Sequence, residues 1–150
     1  MSRLADFFRI NALSYKEIPY AENITDALEA AKAIGLLPSQ MIKSLVVGDE
    51  SHHFVMCLVP VDKRLDLEKL GLVTKTKMTM ASPVDVEGIT GYKVGTVCPF
   101  LLKNSLPIYM DKSLLQFSEV GISTGETGKE IVVAPKELQR VTNATLMQLV

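Results

Sequence analysis

Two short apolar runs, MIKSLVV from Met41 to Val47 and FVMCLVP from Phe54 to Pro60, flank the polar hexapeptide GDESHH. Runs of that length bounded by a polar loop predict two neighbouring strands near the centre of a sheet. They are far too short to cross a bilayer. Lys43 interrupts the first run, and a central strand rarely spends a position on lysine unless its charge reaches solvent or a ligand. From this stretch alone, a lysine stem snorkelling at a strand end and a ligand-facing ammonium both stand.

The remaining elements follow from periodicity and punctuation. Residues 2 to 13 space Leu4, Phe7, Phe8 and Ile10 as a short helix would. Tyr15 to Tyr20 reads as a strand, and Thr25 as the cap of a helix whose face is Ala27, Ala30, Ala31 and Ile34, stopped by Gly35. A charged surface helix is expected over Asp62 to Leu72, and an extended segment over Thr74 to Met80, where Lys75 and Lys77 share a side. Ser82, Pro83 and Asp85 form a helix start, with the stop at Gly88 or Gly91. Strands are expected at Leu106 to Met110, Glu119 to Ser123 and Glu130 to Ala134, the last two flanking the glycine-containing loop TGETGK, with a single helical turn at Ser113 to Phe117. Pro135 to Leu149 closes the chain as a helix and tail, and helical Ala144 to Val150 suits either self-association or core packing. No repeat or linker divides residues 1 to 150, so one domain is expected.

With 47% hydrophobic residues and a formal charge of -1, the chain can bury a full core and lacks the charge for a broad nucleic-acid surface. A small basic patch could still hold one end of an RNA. The N-terminus MSRLADFFRI has no long apolar centre, and the chain reads as cytosolic. Two cysteines and two histidines make neither a disulfide framework nor a zinc-ligand pattern, so no metal is expected.

Catalytic signatures are scarce. No serine lies in a GxSxG context, and His52 and His53 stand together in a polar loop. TGETGK lacks the Ser or Thr that follows a P-loop lysine. Cys98 reads more readily as a small buried residue than as a reactive thiol. What remains is Lys43, the loop GYKVGTVCPF with its GxxxP spacing from Gly95 to Pro99, and a second glycine turn holding Ser123, Thr124 and Gly125. Such a set is poor in acid–base groups and rich in backbone donors. It would work by positioning and by stabilising an oxyanion, where one well-aimed donor is worth roughly 3 kcal/mol. That suffices for an activated ester and not for a peptide or phosphodiester.

The order TDALEAAKAIG, IKSLVV, VPVDKRLDLEKL, MASPVDVEGITGYKVGTVCPF and GISTGETGKEIVVAPKEL resembles the YbaK/ProX family of aminoacyl-tRNA deacylases, similar to the editing domain of bacterial prolyl-tRNA synthetases, over roughly residues 15 to 140. The resemblance implies a compact α/β (α+β) domain with a mixed, curved sheet and flanking helices. It implies hydrolysis, without a cofactor, of the ester joining a wrong amino acid, such as Cys or Ala on a proline tRNA, to the acceptor end. An aminoacyl-tRNA synthetase is a further possible partner. It implies catalytic roles for Lys43, near the terminal adenosine and its phosphate, and for the backbone at Gly95. Tyr20, Thr96, Val97, Cys98, Pro99, Ser123, Thr124 and Gly125 fall on the substrate-binding side. The attacking oxygen would be water or a substrate group. Thr96 replaces a glycine common in the family, and Val97 and Cys98 are bulkier than usual, which is expected to narrow the pocket or shift its preference. The competing expectation is a non-catalytic module that binds a tRNA acceptor end or a synthetase, and a small-molecule esterase is a third.

Overall fold

The computed structural model describes residues 3–150. Helix α1 (Arg3–Ile10) opens the chain, and the expected start of this helix at Ser2 lies outside the described residues. Phe8 is buried and meets Phe100 edge-on, ring centroids 4.9 Å apart. This contact pins α1 against the far end of the GYKVGTVCPF loop. Ile10, by contrast, is 72% exposed and takes no part in the core.

Strand β1 (Tyr15–Pro19) precedes α2 (Ala27–Ile34), which buries Ala30 and Ala31. Its cap is Asp26 rather than the expected Thr25, because the Asp26 carboxylate accepts from the Leu28 amide at 3.0 Å. Strands β2 (Ile42–Gly48) and β3 (Phe54–Pro60) pair antiparallel from Ile42↔Pro60 to Gly48↔Phe54, as their apolar runs predict. Helix α3 (Leu67–Thr74) follows. It runs through Gly71 instead of stopping there, and Lys75 ends it in the left-handed conformation, φ 61°. The alternating segment from Thr74 is therefore mostly helix end and turn, and only Thr79–Met80 forms a strand, β4.

Helix α4 (Pro83–Thr90) is followed by β5 (Ile108–Asp111), β6 (Val120–Ser123), β7 (Lys129–Val133), α5 (Pro135–Thr142) and β8 (Thr145–Met147). The expected helical tail is thus a strand, pairing parallel with β5. Asp111 holds it there: its Oδ1 accepts from the buried Leu149 amide at 2.7 Å while Oδ2 takes the Ser113 amide and hydroxyl. Such a buried carboxylate stays because its lone pairs are filled.

Five strands form one mixed sheet in the order β4-β2-β3-β5-β8, and three form an antiparallel sheet, β1-β7-β6. Among the described residues a single isolated parallel bridge, Met41↔Gly121, joins them where β6 passes the start of β2. Ile42 and Val46 face the larger apolar cluster with Val86 and Val97, whereas Val47 faces the smaller one with Leu70 on α3. The chain is a single α+β domain with mixed sheets. Among the described residues no helix is long and apolar enough to cross a membrane.

Candidate active site

The loop after α4 is held at its base and shaped at its tip. The start of α4 follows the expected chemistry, with the Ser82 hydroxyl accepting from the Asp85 amide at 3.2 Å and Pro83 in the first turn. The helix ends at Gly91, and the returning chain is clamped by Lys103 and Asn104 amides on the Thr90 and Ile89 carbonyls. Across the loop, the Tyr92 hydroxyl donates to the Phe100 carbonyl at 2.5 Å. At the tip, the Thr96 amide and hydroxyl both donate to the Lys93 carbonyl, at 3.0 and 2.9 Å. That closes a turn whose third residue, Gly95, has φ 94°, a conformation glycine adopts without a steric cost. One expected backbone donor, the Thr96 amide, is therefore used by the turn itself. Among the described residues the amides of Gly95 and Val97 make no hydrogen bond.

A cavity of about 270 Å³ lies between this tip and β2. Lys43, Gly95, Val97 and Ser123, distant in sequence, meet there, with Val46, Ala81 and Val86 giving an apolar floor. An adjoining cavity of about 300 Å³ shares Gly95 and Ser123 and adds Tyr20 and Thr96. The other expected residues stand back from both. Cys98 is fully buried in the core behind the loop, and burial pushes its thiol upward, so it is neither a pocket wall nor a ready nucleophile. Of the two bulky residues expected to narrow the pocket, only Val97 lines it. Pro99 is buried beside Cys98, Gly125 packs under Tyr92, and Thr124 lines a separate recess with Tyr15 and Glu17.

Burial pulls the Lys43 ammonium below its ordinary value, and Asp62 partly opposes this. Lys43 has no ion pair among the described residues. The Ser123 hydroxyl accepts from the Gly125 amide at 3.2 Å, which fixes its rotamer and leaves its proton free to donate.

Sequence reasoning missed Glu130. It sits on β7, the middle strand of the smaller sheet, between Ile18 of β1 and Ser123 of β6. It lines the cavity, is only 6% exposed, and one carboxylate oxygen, Oε2, has no partner among the described residues. Burial pushes its carboxyl up to about 7, while the Tyr20 hydroxyl pulls the other way. Burial foremost, and then Glu130, raise Tyr20 in turn. Unlike Lys43, Glu130 stands at the edge of its apolar run, directly after Lys129 in GKEIVVA, where a charge is ordinary and nothing in the sequence singles it out. Among the described residues no group of three or more His, Cys, Asp or Glu could hold a metal.

The aminoacyl-tRNA editing domain family matches residues 21–141. A candidate Cys-tRNA(Pro)/Cys-tRNA(Cys) deacylase, EbsC of Enterococcus faecalis, is 29% identical over 90% of this chain and 84% of its own. The multifunctional Ser/Thr-tRNA deacylase ProXp-y of Escherichia coli is 24% identical over 68% of this chain and 62% of its own. A crystal structure of a candidate trans-editing enzyme for prolyl-tRNA synthetase superposes with a TM-score of 0.84 at 30% identity, covering 99% of this chain and 98% of that one. With a family match across most of its length and the same fold in a solved relative, this chain belongs to the aminoacyl-tRNA editing domain family.

Proposed function

We propose that the protein is an editing hydrolase that releases a wrongly attached amino acid from tRNA. The observation that carries this reading is a cavity whose two charged lining side chains are Lys43 and Glu130, set beside the free amides of Gly95 and Val97. An aminoacyl ester brings a matching set of groups. Its α-ammonium finds the Glu130 carboxylate, which the pairing would ionise. Its carbonyl finds backbone donors, and the phosphate of the terminal nucleotide finds Lys43. The relatives' names, which span cysteine and serine or threonine esters, support the ester class without fixing the amino acid.

Hydrolysis then needs little from side chains. A water adds to the ester carbonyl and gives up a proton, the backbone amides hold the resulting oxyanion, and the bond to the ribose oxygen breaks as that oxygen takes a proton, which frees the amino acid and restores the ribose hydroxyl. Preorganised donors in a water-poor pocket are worth more than in solution. Such a sieve is useful because a hydrophobic synthetase pocket separates side chains differing by a methylene by only about 1 to 3 kcal/mol. Incubating the protein with alanyl-, cysteinyl- and seryl-tRNA carrying proline's anticodon and following ester loss tests the proposal. Salt-dependent tRNA binding with no ester loss would instead select a non-catalytic acceptor-end module.

A further inference from the structure

The cavity wall formed by β2 is an open strand edge, and its hydrogen-bonding direction can be read from three neighbours. In an antiparallel pair, successive residues turn their N–H and C=O alternately toward and away from the partner. The Val46 carbonyl accepts from the Ala81 amide, on the side away from β3. Met56, opposite Val46, sends its amide to the Pro107 carbonyl, away from β2. Pro60, opposite Ile42, has no N–H to give. Ile42, Ser44 and Val46 therefore all turn their main-chain groups to the side opposite β3. On that side β4 pairs only with Val47 and Gly48, and the next bridge is at Met41. Between them lies Ser44, on the cavity wall, with a hydroxyl that also lacks a partner among the described residues.

We infer that the main chain of Ser44 is the docking edge for the aminoacyl group, which pairs with it as one residue of an added strand. An α-aminoacyl ester in extended conformation presents its α-nitrogen protons and its carbonyl oxygen on one edge. Those are the groups that a residue exchanges with its partner in an antiparallel hydrogen-bonded pair. The Ser44 carbonyl accepts from the α-ammonium, which Glu130 also faces, and the Ser44 amide donates to the carbonyl oxygen, from the opposite wall to Gly95. Residues directly opposite in such a pair put their side chains on the same face. The amino-acid side chain then lies beside that of Ser44, on the face of Ile42 and Val46, over the apolar floor that Val86 shares with Val46. This pairing selects α-aminoacyl esters over simple esters, because an ester without an α-donor forms only half of it.

The inference rests on the editing reading, and the experiment separates the two. The intact ¹⁵N-labelled protein is titrated with 3′-deoxy-3′-(L-alanylamino)adenosine, whose amide replaces the labile ester, while alanyl-tRNA hydrolysis is measured in parallel. The Ser44 amide resonance is expected to move downfield and its hydrogen exchange to slow at least tenfold, whereas the Lys43 amide, bonded to β3, changes little. Replacing residue 44 by its α-hydroxy acid removes the N–H and otherwise only weakens the Lys43 carbonyl, which faces β3 and not the cavity edge, and is expected to lower alanyl-tRNA hydrolysis about a hundredfold with the fold retained by circular dichroism. If the analogue shifts other cavity resonances while the Ser44 amide stays still, or the hydroxy-acid protein hydrolyses within twofold of the parent, the strand-pairing inference is wrong and the editing reading stands. If the analogue does not bind and no tRNA ester is cleaved, both fall.

Discussion

The Tyr92 ring fills the space that a Cβ on Gly125 would need, so the loop after α4 and the turn after β6 lock together through a missing side chain. Tyr92 also closes its own loop through the Phe100 carbonyl. One residue thus ties the loop that carries Gly95 to the turn after Ser123, and both Gly95 and Ser123 line the cavity.

Gly125→Ala is expected to be costly twice over. The residue has φ 89°, which strains any side chain, and the methyl would run into the Tyr92 ring. A loss of roughly 2 kcal/mol in urea unfolding is expected, together with slower deacylation as the Gly95 tip is displaced. Stability within about 0.5 kcal/mol of the parent would show that the turn tolerates the methyl. Tyr92→Phe keeps the ring in place and removes only its hydroxyl bond, for an expected cost of about 1 kcal/mol.

Glu130 gives a pH dependence whose sign is fixed. Its carboxyl sits at about 7 in the folded protein against an ordinary 4.5, so between those values the native state holds a proton that the unfolded chain has released. Its contribution to stability is therefore complete below about 4.5 and is lost as pH rises toward 7, by on the order of 3 kcal/mol. Denaturant midpoints measured from pH 4 to 8 are expected to fall more steeply for the parent than for Glu130→Gln. Equal slopes would mean that Glu130 is solvated or paired. Glu130→Gln is also expected to slow deacylation, since the α-ammonium loses its counter-charge.

Both thiols are expected to be silent in the folded state. Cys57 is pushed up to about 12 by burial, and burial raises Cys98 as well. At pH 8 a disulfide reagent should modify neither cysteine until denaturant is added, and then both. Fast native labelling of Cys98 would reopen a nucleophilic role for it.

Much of this was legible in the sequence because it is local. The β2–β3 pair, the Ser82–Pro83 helix start and the glycine turn at Gly95 are each fixed by residues within a few positions. What could not be read is the distant pairing. Nothing beside Thr145 announces that the tail will pair with β5, because the cause is Asp111 reaching the Leu149 amide. Cys98 reads as a loop residue next to Val97, and both are buried in the core, yet only Val97 also lines the cavity. Glu130 follows Lys129 at the edge of its apolar run and reads as an ordinary strand-end charge, and its meaning comes from lying opposite Ser123.

The most direct measurement is single-turnover hydrolysis of mischarged proline tRNAs by the parent and by Lys43→Ala, with circular dichroism on both. Acceleration of at least one ester by the parent is expected, with a loss of about a hundredfold in Lys43→Ala at unchanged fold. A folded parent that accelerates no ester, or a Lys43→Ala protein as active as the parent, would contradict the account.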